Sequence, residues 1–379
     1  MNRTTIAAPE HPFSHAPDHI IKRFTLATCF LGKLASLVLE LNYMITIGVL
    51  AYLPSQRHRD LLDGTLASLK QQQGVPKFQV ILIDNGNFGL ADWLKDRARM
   101  HGCTYFRRPN SEIAAARDWV MQLDSKYVGF VDSDVELPTN WIMRMSAELD
   151  SDRELMAVAS SNRPPMGESL LDDALRAMFQ VPWVFLSSPQ SLQVKSGIVK
   201  VAHLPACAVI YRRDAVLKVG GFDCNFTSVC EDLELSQRLN QVGYLAMVGG
   251  HEVTHRQDRE LSFWLKRMFR YGWGQVEVMR KHPRQMLSRK AAMIPLFFLG
   301  LFVIFLAIQG ETQPALVFYG LYFTLTAGGI FWRNRGQNWR TLSYSVLVAL
   351  GTHVCYLLGM IAGAFGLKRN PSPESTQTL

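Results

Sequence analysis

The chain has 379 residues, enough for one large catalytic domain and a further element, and 48% of them are hydrophobic. A formal charge of +8 without a dominant lysine block removes nucleic acid as the default partner. The six cysteines (Cys29, Cys103, Cys207, Cys224, Cys230, Cys355) show neither a CxxC pair nor zinc-like spacing, which points to a reduced, cytosolic catalytic domain.

Residues 1–43 read as an extension. Its first part is rich in Pro and His, and segment 24–43 is apolar but interrupted by Lys33 and Glu40. It starts too late for a signal peptide and suits an amphipathic helix lying on a membrane or on the catalytic domain. Met44 to Leu53 reads as a buried strand ended by Pro54-Ser55-Gln56, and Leu61, Leu62, Leu66 and Leu69 then repeat at helical spacing. Phe78 to Ile83 is a second buried strand, closed by the turn signal Asp84-Asn85-Gly86-Asn87. A helix is expected near 89–100, a short strand around Thr104-Tyr105-Phe106, and a helix over Ala114 to Leu123. Tyr127 to Val131 is the strand that delivers Asp132 and Asp134. Strands alternating with helices predict an α/β fold with a mostly parallel sheet covered by helices.

Residues 163–200 read as an irregular, Pro- and Ser-containing insertion. Ala206 to Tyr211 is apolar again, Gly220-Gly221 makes a turn, and Glu231 to Val242 is a helix stopped by Gly243. Leu245 to Val248 is a strand, with His251 to His255 expected just past it. Three apolar stretches follow, Met293 to Gln309, Pro314 to Trp332 and Leu342 to Leu367, each near the length needed to cross about 30 Å of hydrocarbon. Arg289 and Lys290 precede the first, and Arg333, Arg335 and Arg340 separate the second from the third, so both groups read as cytosolic. Three spans then put Lys368 and Arg369 outside, against the positive-inside rule; the alternative is that one stretch does not span. The tail 370–379 is polar and reads as disordered.

Two acidic clusters carry the chemistry: Asp132-Ser133-Asp134 at a strand's mouth and Glu231-Asp232 at a helix start. Carboxylates at strand ends sit where an open α/β sheet forms its ligand crevice. Two carboxylates one residue apart can share a hard divalent cation and the phosphates it carries. A separate carboxylate can serve as a base, which together suggests metal-assisted transfer from a nucleotide-activated donor.

In five places, in order, the chain resembles a family 2 glycosyltransferase of the GT-A fold. Pro54-Ser55 with Leu61-Leu62 and Leu66 to Leu69 resembles the opening strand, loop and helix. Ile81 to Gly86 resembles the second strand with its nucleobase-contacting aspartate, here Asp84. Ala114 to Asp118 resembles the helix carrying Arg117, Val131 to Asp134 the DxD motif, and Gly220 to Asp223 with Glu231 to Leu235 the acceptor-side motif. The resemblance covers about residues 44–280, and the apolar stretches of 281–369 resemble the membrane helices of bacterial members that build exopolysaccharides and glycolipids.

The resemblance implies an inverting transferase taking a UDP- or GDP-sugar, with Pro54, Ser55, Asp84, Arg117, Asp132 and Asp134 on the nucleotide-sugar side. It implies a Mg²⁺ or Mn²⁺ ion at Asp134, with Asp132 and His255 completing the site, Asp232 as base, and Glu231 shaping it. Arg267, Arg270, Tyr271 and Trp273, on an amphipathic segment before the membrane helices, are expected either to position a lipid-phosphate acceptor, to close over the diphosphate, or to anchor the interface. The acceptor is expected to be lipid-linked or a membrane-proximal glycan, and the protein to sit in the inner membrane, multi-pass, with its catalytic domain in the cytoplasm. Two departures stand out. Gln56-Arg57 replaces the usual aromatic and asparagine, and Arg267-Met268-Phe269-Arg270-Tyr271 lacks the Gln and Trp of processive members, which favours addition of one or few sugars. The alternatives are a polyprenyl-phosphate glycosyltransferase and an inactive membrane scaffold; a dinucleotide oxidoreductase is disfavoured because no GxGxxG follows the first strand.

Overall fold

The computed structural model describes residues 43–366, apart from 88, 109–111, 182–183, 185–193, 195, 225, 227–228, 257–259, 284–299, 301 and 307. The expected N-terminal helix, most of the stretch Met293 to Gln309, and the tail lie outside the described residues.

A nine-stranded sheet runs through the catalytic half, in the order β3-β2-β1-β4-β8-β6-β9-β5, with β7 paired to β9. Its first part is β1 (Ile45–Ala51), β2 (Phe78–Asp84), β3 (Thr104–Arg107) and β4 (Tyr127–Asp132), all parallel. Ile45, Ile47 and Val49 of β1 are fully buried on one face and Thr46 on the other, so the strand reads as a continuous apolar run. Each such side chain contributes about 1.5–3 kcal/mol by leaving water. Helices α1 (Gln56–Lys70), α2 (Ala91–His101) and α3 (Ile113–Met121) connect these strands, as their apolar spacing predicts.

Beyond β4 the sheet changes character. β5 (Val135–Glu136), β6 (Leu155–Arg163), β7 (Ile198–Val201), β8 (Ala208–Arg212) and β9 (Tyr244–His255) include antiparallel neighbours, so half of the eight strand pairings in the sheet are parallel. Helix α4 (Trp141–Ser151) buries Trp141 completely, and its indole N–H donates to Ser160 Oγ at 2.8 Å.

Two elements differ from the sequence reading. A helix, α5 (Leu170–Phe179), lies in the stretch read as irregular. Ser169 caps it by accepting from the Asp172 N–H at 3.0 Å, and Asp172 and Asp173 favour its first turn. β9 extends through His255 instead of ending at Val248, with register shifts against β6 that let one strand serve both.

Helices α6 (Arg213–Lys218) and α7 (Glu231–Leu239) follow β8, and α8 (Leu261–Lys281) follows β9. α9 (Thr312–Arg333) and α10 (Trp339–Ala364) are long and apolar enough to cross a membrane. α5, α8, α9 and α10 share an apolar cluster built on Leu175, Met178, Trp264, Met268, Ile330, Val346 and Ala349.

Candidate active site

The mouths of β1, β2 and β4 open on the same edge of the sheet, and the acidic cluster forms at β4. Asp132 ends β4, and its N–H donates to the Cys207 carbonyl at 2.9 Å. Two residues on, β5 pairs antiparallel with the end of β9, with Val135 opposite His255. This pairing places His255 Nε2 3.2 Å from Asp134 Oδ1, and the Arg256 N–H donates to the Asp134 carbonyl at 2.9 Å. A dipeptide of sheet thus joins a histidine to a motif more than a hundred positions earlier.

The ligand atoms of Asp132, Asp134 and His255 lie within 4.8 Å of one another, a spacing that can hold a metal ion. His255 is 8% exposed, and its Nδ1 makes no hydrogen bond among the described residues. Two carboxylates and one imidazole suit Mn²⁺ or Mg²⁺. Burial works against a charged imidazole, but Asp134 overrides it and holds His255 protonated well above its ordinary range. Burial also pushes Asp134 up, yet His255, Arg267 and His58 together draw it below the usual carboxylate range. Asp132 is raised, by burial first and by the charge of Asp134, with Arg117 opposing.

Arg117 links this cluster to the second one. From α3 its guanidinium donates to Asp132 Oδ1 at 3.2 Å and pairs with Glu231 Oε1, and it lies over the Phe130 ring at 5.6 Å. Arg117 and Glu231 are each 6% exposed. Burial pushes Glu231 up to about 7, against Arg117 and with Asp232. Asp232 is the more exposed of the two acids; its Oδ2 accepts from the Ala206 N–H at 3.0 Å and its Oδ1 from the Leu233 N–H at 2.7 Å. Both stand in the first turn of α7, where the helix dipole favours negative charge. The preceding Cys230 has φ 84°, a left-handed conformation that costs a non-glycine residue about 1–3 kcal/mol and recurs at functional sites.

Among the remaining expected residues, Arg267 of α8 lies within electrostatic reach of Asp132 and Asp134, and Tyr271 within that of Asp132 and Asp232. Arg270 is half-buried on the same helix, and the Trp273 backbone packs against α10. Pro54 and Ser55 stand at the β1 mouth, with Ser55 Oγ 2.7 Å from His58 Nδ1.

Asp84 is placed otherwise than expected. Its side chain is fully buried, and Oδ1 accepts from the Gly86 N–H (3.1 Å), the Asn87 N–H (2.9 Å) and Asn87 Nδ2 (3.0 Å). Oδ2 accepts from the Tyr105 hydroxyl at 2.8 Å, with Arg107 Nε 3.6 Å away. In this conformation Asp84 builds the turn at the mouth of β2, and a role toward a nucleobase would have to be shared with that structural one.

Several residues at the site escaped sequence reasoning. His58 contributes to the field at Asp134. Cys207 lies beside His255, and its sulfur accepts from Asn162 Nδ2 at 2.7 Å. Asp118, next to Arg117, accepts from the Phe222 N–H at 2.9 Å and so tethers the Gly220-Gly221 turn. Gly221, at φ 73°, leaves the space that Asp118 Oδ1 occupies. Only Asp118 had a signal, its place beside Arg117.

Comparison with known proteins bears on this arrangement. A family model described as glycosyl transferase family 2 matches residues 51–220, and one described as glycosyl transferase family group 2 matches residues 190–361. The chain belongs to glycosyltransferase family 2. No curated protein matches it by sequence. Among solved structures, mannosyltransferase PcManGT from Pyrobaculum calidifontis in complex with GDP-Man and Mn²⁺ aligns over 92% of this chain and 97% of its own, at 13% identity and TM-score 0.57. GalNAc-T7 with UDP, GalNAc and Mn²⁺ aligns at 15% identity over 57% of this chain, with TM-score 0.43, and S. aureus TarS at 14% over 84%, with TM-score 0.46. The match spans 44% of the GalNAc-T7 chain and 55% of the TarS chain. The fold of this family 2 glycosyltransferase is thus a GT-A-type mixed α/β sheet with helices, carrying an Asp-rich candidate metal site.

Proposed function

We propose that this family 2 glycosyltransferase is a membrane-bound, inverting enzyme that moves one sugar from a UDP- or GDP-sugar to a lipid-linked or membrane-proximal glycan. The carrying observation is the joining of two acidic clusters by Arg117: a potential metal site at Asp132, Asp134 and His255, and a more exposed carboxylate at Asp232. That the PcManGT structure holds GDP-Man and Mn²⁺ supports the donor class and the ion.

A bound divalent cation would offset the negative charge that grows on the departing diphosphate. Asp134 and His255 would hold it, with Asp132 beside them. Arg267 would close over the diphosphate from α8, since it already faces the same carboxylates. The acceptor hydroxyl attacks the anomeric carbon from the face opposite the leaving group and gives its proton to Asp232. The new C–O bond forms as the bond to the diphosphate oxygen breaks, and the nucleoside diphosphate leaves with the electron pair. Displacement in line inverts the anomeric centre. Arg117 pairs with Glu231 beside the base, opposing the rise that burial imposes on it, and holds Asp132 in register, while Asp84 shapes the loop beside Pro54 and Ser55 through Asn87, which bridges to β1.

Membrane attachment is supported by α9 and α10, and a cytoplasmic active site by the basic residues Arg333, Arg335 and Arg340 between them. An inactive scaffold would have no use for charges that oppose one another at this cost of burial. The test is a screen of UDP- and GDP-sugars against detergent-purified protein, with and without Mn²⁺, reading turnover and the anomeric configuration of the product by NMR. One donor turned over with inversion supports the reading. Folded protein that binds no donor under either condition contradicts it.

A further inference from the structure

We infer that α10 does not cross the membrane but lies flat in the headgroup layer of one leaflet, keeping the C-terminus on the side of the catalytic domain. The inference rests on the membrane-bound reading above and replaces the third span expected from the sequence.

The first observation is where α8 runs. Its N-terminal half brings Arg267 to the Asp132 and Asp134 carboxylates. At its C-terminal end Lys281 pairs with Asp223, and His282 Nε2 lies 2.9 Å from Glu234 Oε1. α8 is therefore tied at both ends to the catalytic domain and runs along its surface.

α10 is laid along α8. Trp264 Nε1 donates to Thr352 Oγ1 at 2.7 Å, the Tyr356 hydroxyl to Gln275 Oε1 at 3.2 Å, and Arg280 Nη2 to the Ala364 carbonyl at 2.9 Å. In between, the backbones come so close that a Cβ at Gly272 would overlap the Tyr356 carbonyl, and one at Gly359 the Phe269 carbonyl. The earlier part of α10, through Leu342, Val346 and Ala349, joins the apolar cluster with Leu171, Leu175 and Met178 of α5. The 26 residues of α10 make a rod of roughly 39 Å, and contacts with the catalytic half recur along nearly all of it. A spanning helix has to leave the domain surface, and this one does not.

Tilting α10 across the bilayer would carry α8 with it, placing Arg270, Glu277, Arg280 and Lys281 at membrane depth. Such residues are rare in spanning segments because charge at that depth is expensive. The outer face of α10 fits a surface position. Leu347, Val354, Leu358 and Phe365 are 63%, 56%, 51% and 80% exposed. Their spacing of seven, four and seven residues puts them on one line of the helix, opposite the packed face. The turn leading into α10 exposes Trp332, Trp339, Arg333, Arg335 and Arg340, the aromatic and basic chemistry of an anionic headgroup layer. Buried Asn334 fastens that turn to α5 by donating to the Ala177 carbonyl at 3.1 Å. A flat α10 also puts Lys368 and Arg369 on the same side as these arginines, which removes the conflict with the positive-inside rule. α9 is different: its residues Leu316, Val317, Leu321 and Phe323 are 50–71% exposed, and it is buried only near its C-terminal end, at Thr326, Gly329 and Ile330.

The test is protease protection of the full-length chain carrying a C-terminal tag, in inside-out and right-side-out vesicles. Blots are read with antibodies to the tag and to the catalytic domain, after an alkaline carbonate wash. With Met293 to Gln309 and α9 as the two spans, the inference expects both epitopes to be digested in the same vesicle orientation and a second tag, inserted after Gly310, to be digested only in the other. An inserted tag that follows the catalytic domain while the C-terminal tag does too would mean that α9 and α10 both span, and would overturn it. Tag and catalytic domain digested in opposite orientations would overturn it and leave the membrane-bound reading standing. Release of the intact chain by carbonate would overturn the membrane-bound reading and this inference with it.

Discussion

Two strands of the parallel part of the sheet end in aspartate, and they treat it in opposite ways. At the mouth of β2, Asp84 is sealed from solvent and accepts four hydrogen bonds from its own turn and from Tyr105. At the mouth of β4, Asp132 and Asp134 face each other, a histidine and two arginines. Both ends look alike in sequence, an apolar run closing on an acid. What separates them is the accounting of hydrogen bonds: β2 has local donors enough to finish its carboxylate, whereas β4 gathers like charges whose repulsion a cation would relieve.

The largest effect expected from this contrast is at Asp134. Asp134→Ala should lower metal-dependent transfer by about 10²–10³-fold, the usual scale for losing one fixed electrostatic contributor, with the melting temperature little changed. Steady-state rates beside thermal unfolding would check it; a variant that keeps its rate breaks the contrast at its functional end.

Next in size is the pH dependence of metal binding. His255 is held protonated well above its ordinary range, and a metal requires the neutral ring, so binding must release that proton. Apparent Mn²⁺ affinity should therefore rise about tenfold per pH unit below the raised pKa of His255 and level off above it. In His255→Gln the affinity should be weaker and this slope absent. Calorimetric titration at several pH values reads both.

Asp84→Ala should act in the other currency. It strands donors from Gly86, Asn87 and Tyr105, at about 1–3 kcal/mol for each buried group left unpaired, so thermal unfolding should shift down by several degrees. Mn²⁺ affinity of the folded variant should stay within about twofold. A variant of normal stability that has lost metal binding would invert the roles of the two strand ends.

The smallest effect is at His58, whose charge reaches Asp134 from the first turn of α1. His58→Ala takes away a positive contribution to the field at Asp134 that also repels an incoming cation, so Mn²⁺ binding should strengthen by about twofold in the same calorimetric titration. Weaker binding would show that His58 supports the site in another way.

Much of the site was legible because it lies in short motifs at element ends. Asp132, Asp134, Glu231 and Asp232 could be named from strand-mouth and helix-start patterns, Arg117 from the family resemblance, and the apolar runs of β1, β2 and β4 announced their strands. His255 was reachable only through the family resemblance, since its place depends on a two-residue strand pairing. The sealing of Asp84 could not be read, because Tyr105 reaches it from the next strand. Helix α5 could have been found: Ser169 followed by Asp172 is a capping signal, overlooked amid the prolines around it. The course of α10 could not be read either. Its apolarity suits a span, and only the close approach of Gly272 and Gly359 to carbonyls of the facing helix reveals that it follows α8.

The most direct measurement is calorimetric titration of Mn²⁺, with a nucleoside diphosphate present, into wild type, Asp84→Ala and Asp134→Ala at neutral pH and at a temperature where all three are folded. The account predicts near-equal affinity for wild type and Asp84→Ala, and no measurable binding for Asp134→Ala. Binding retained in Asp134→Ala, or lost in folded Asp84→Ala, would contradict it.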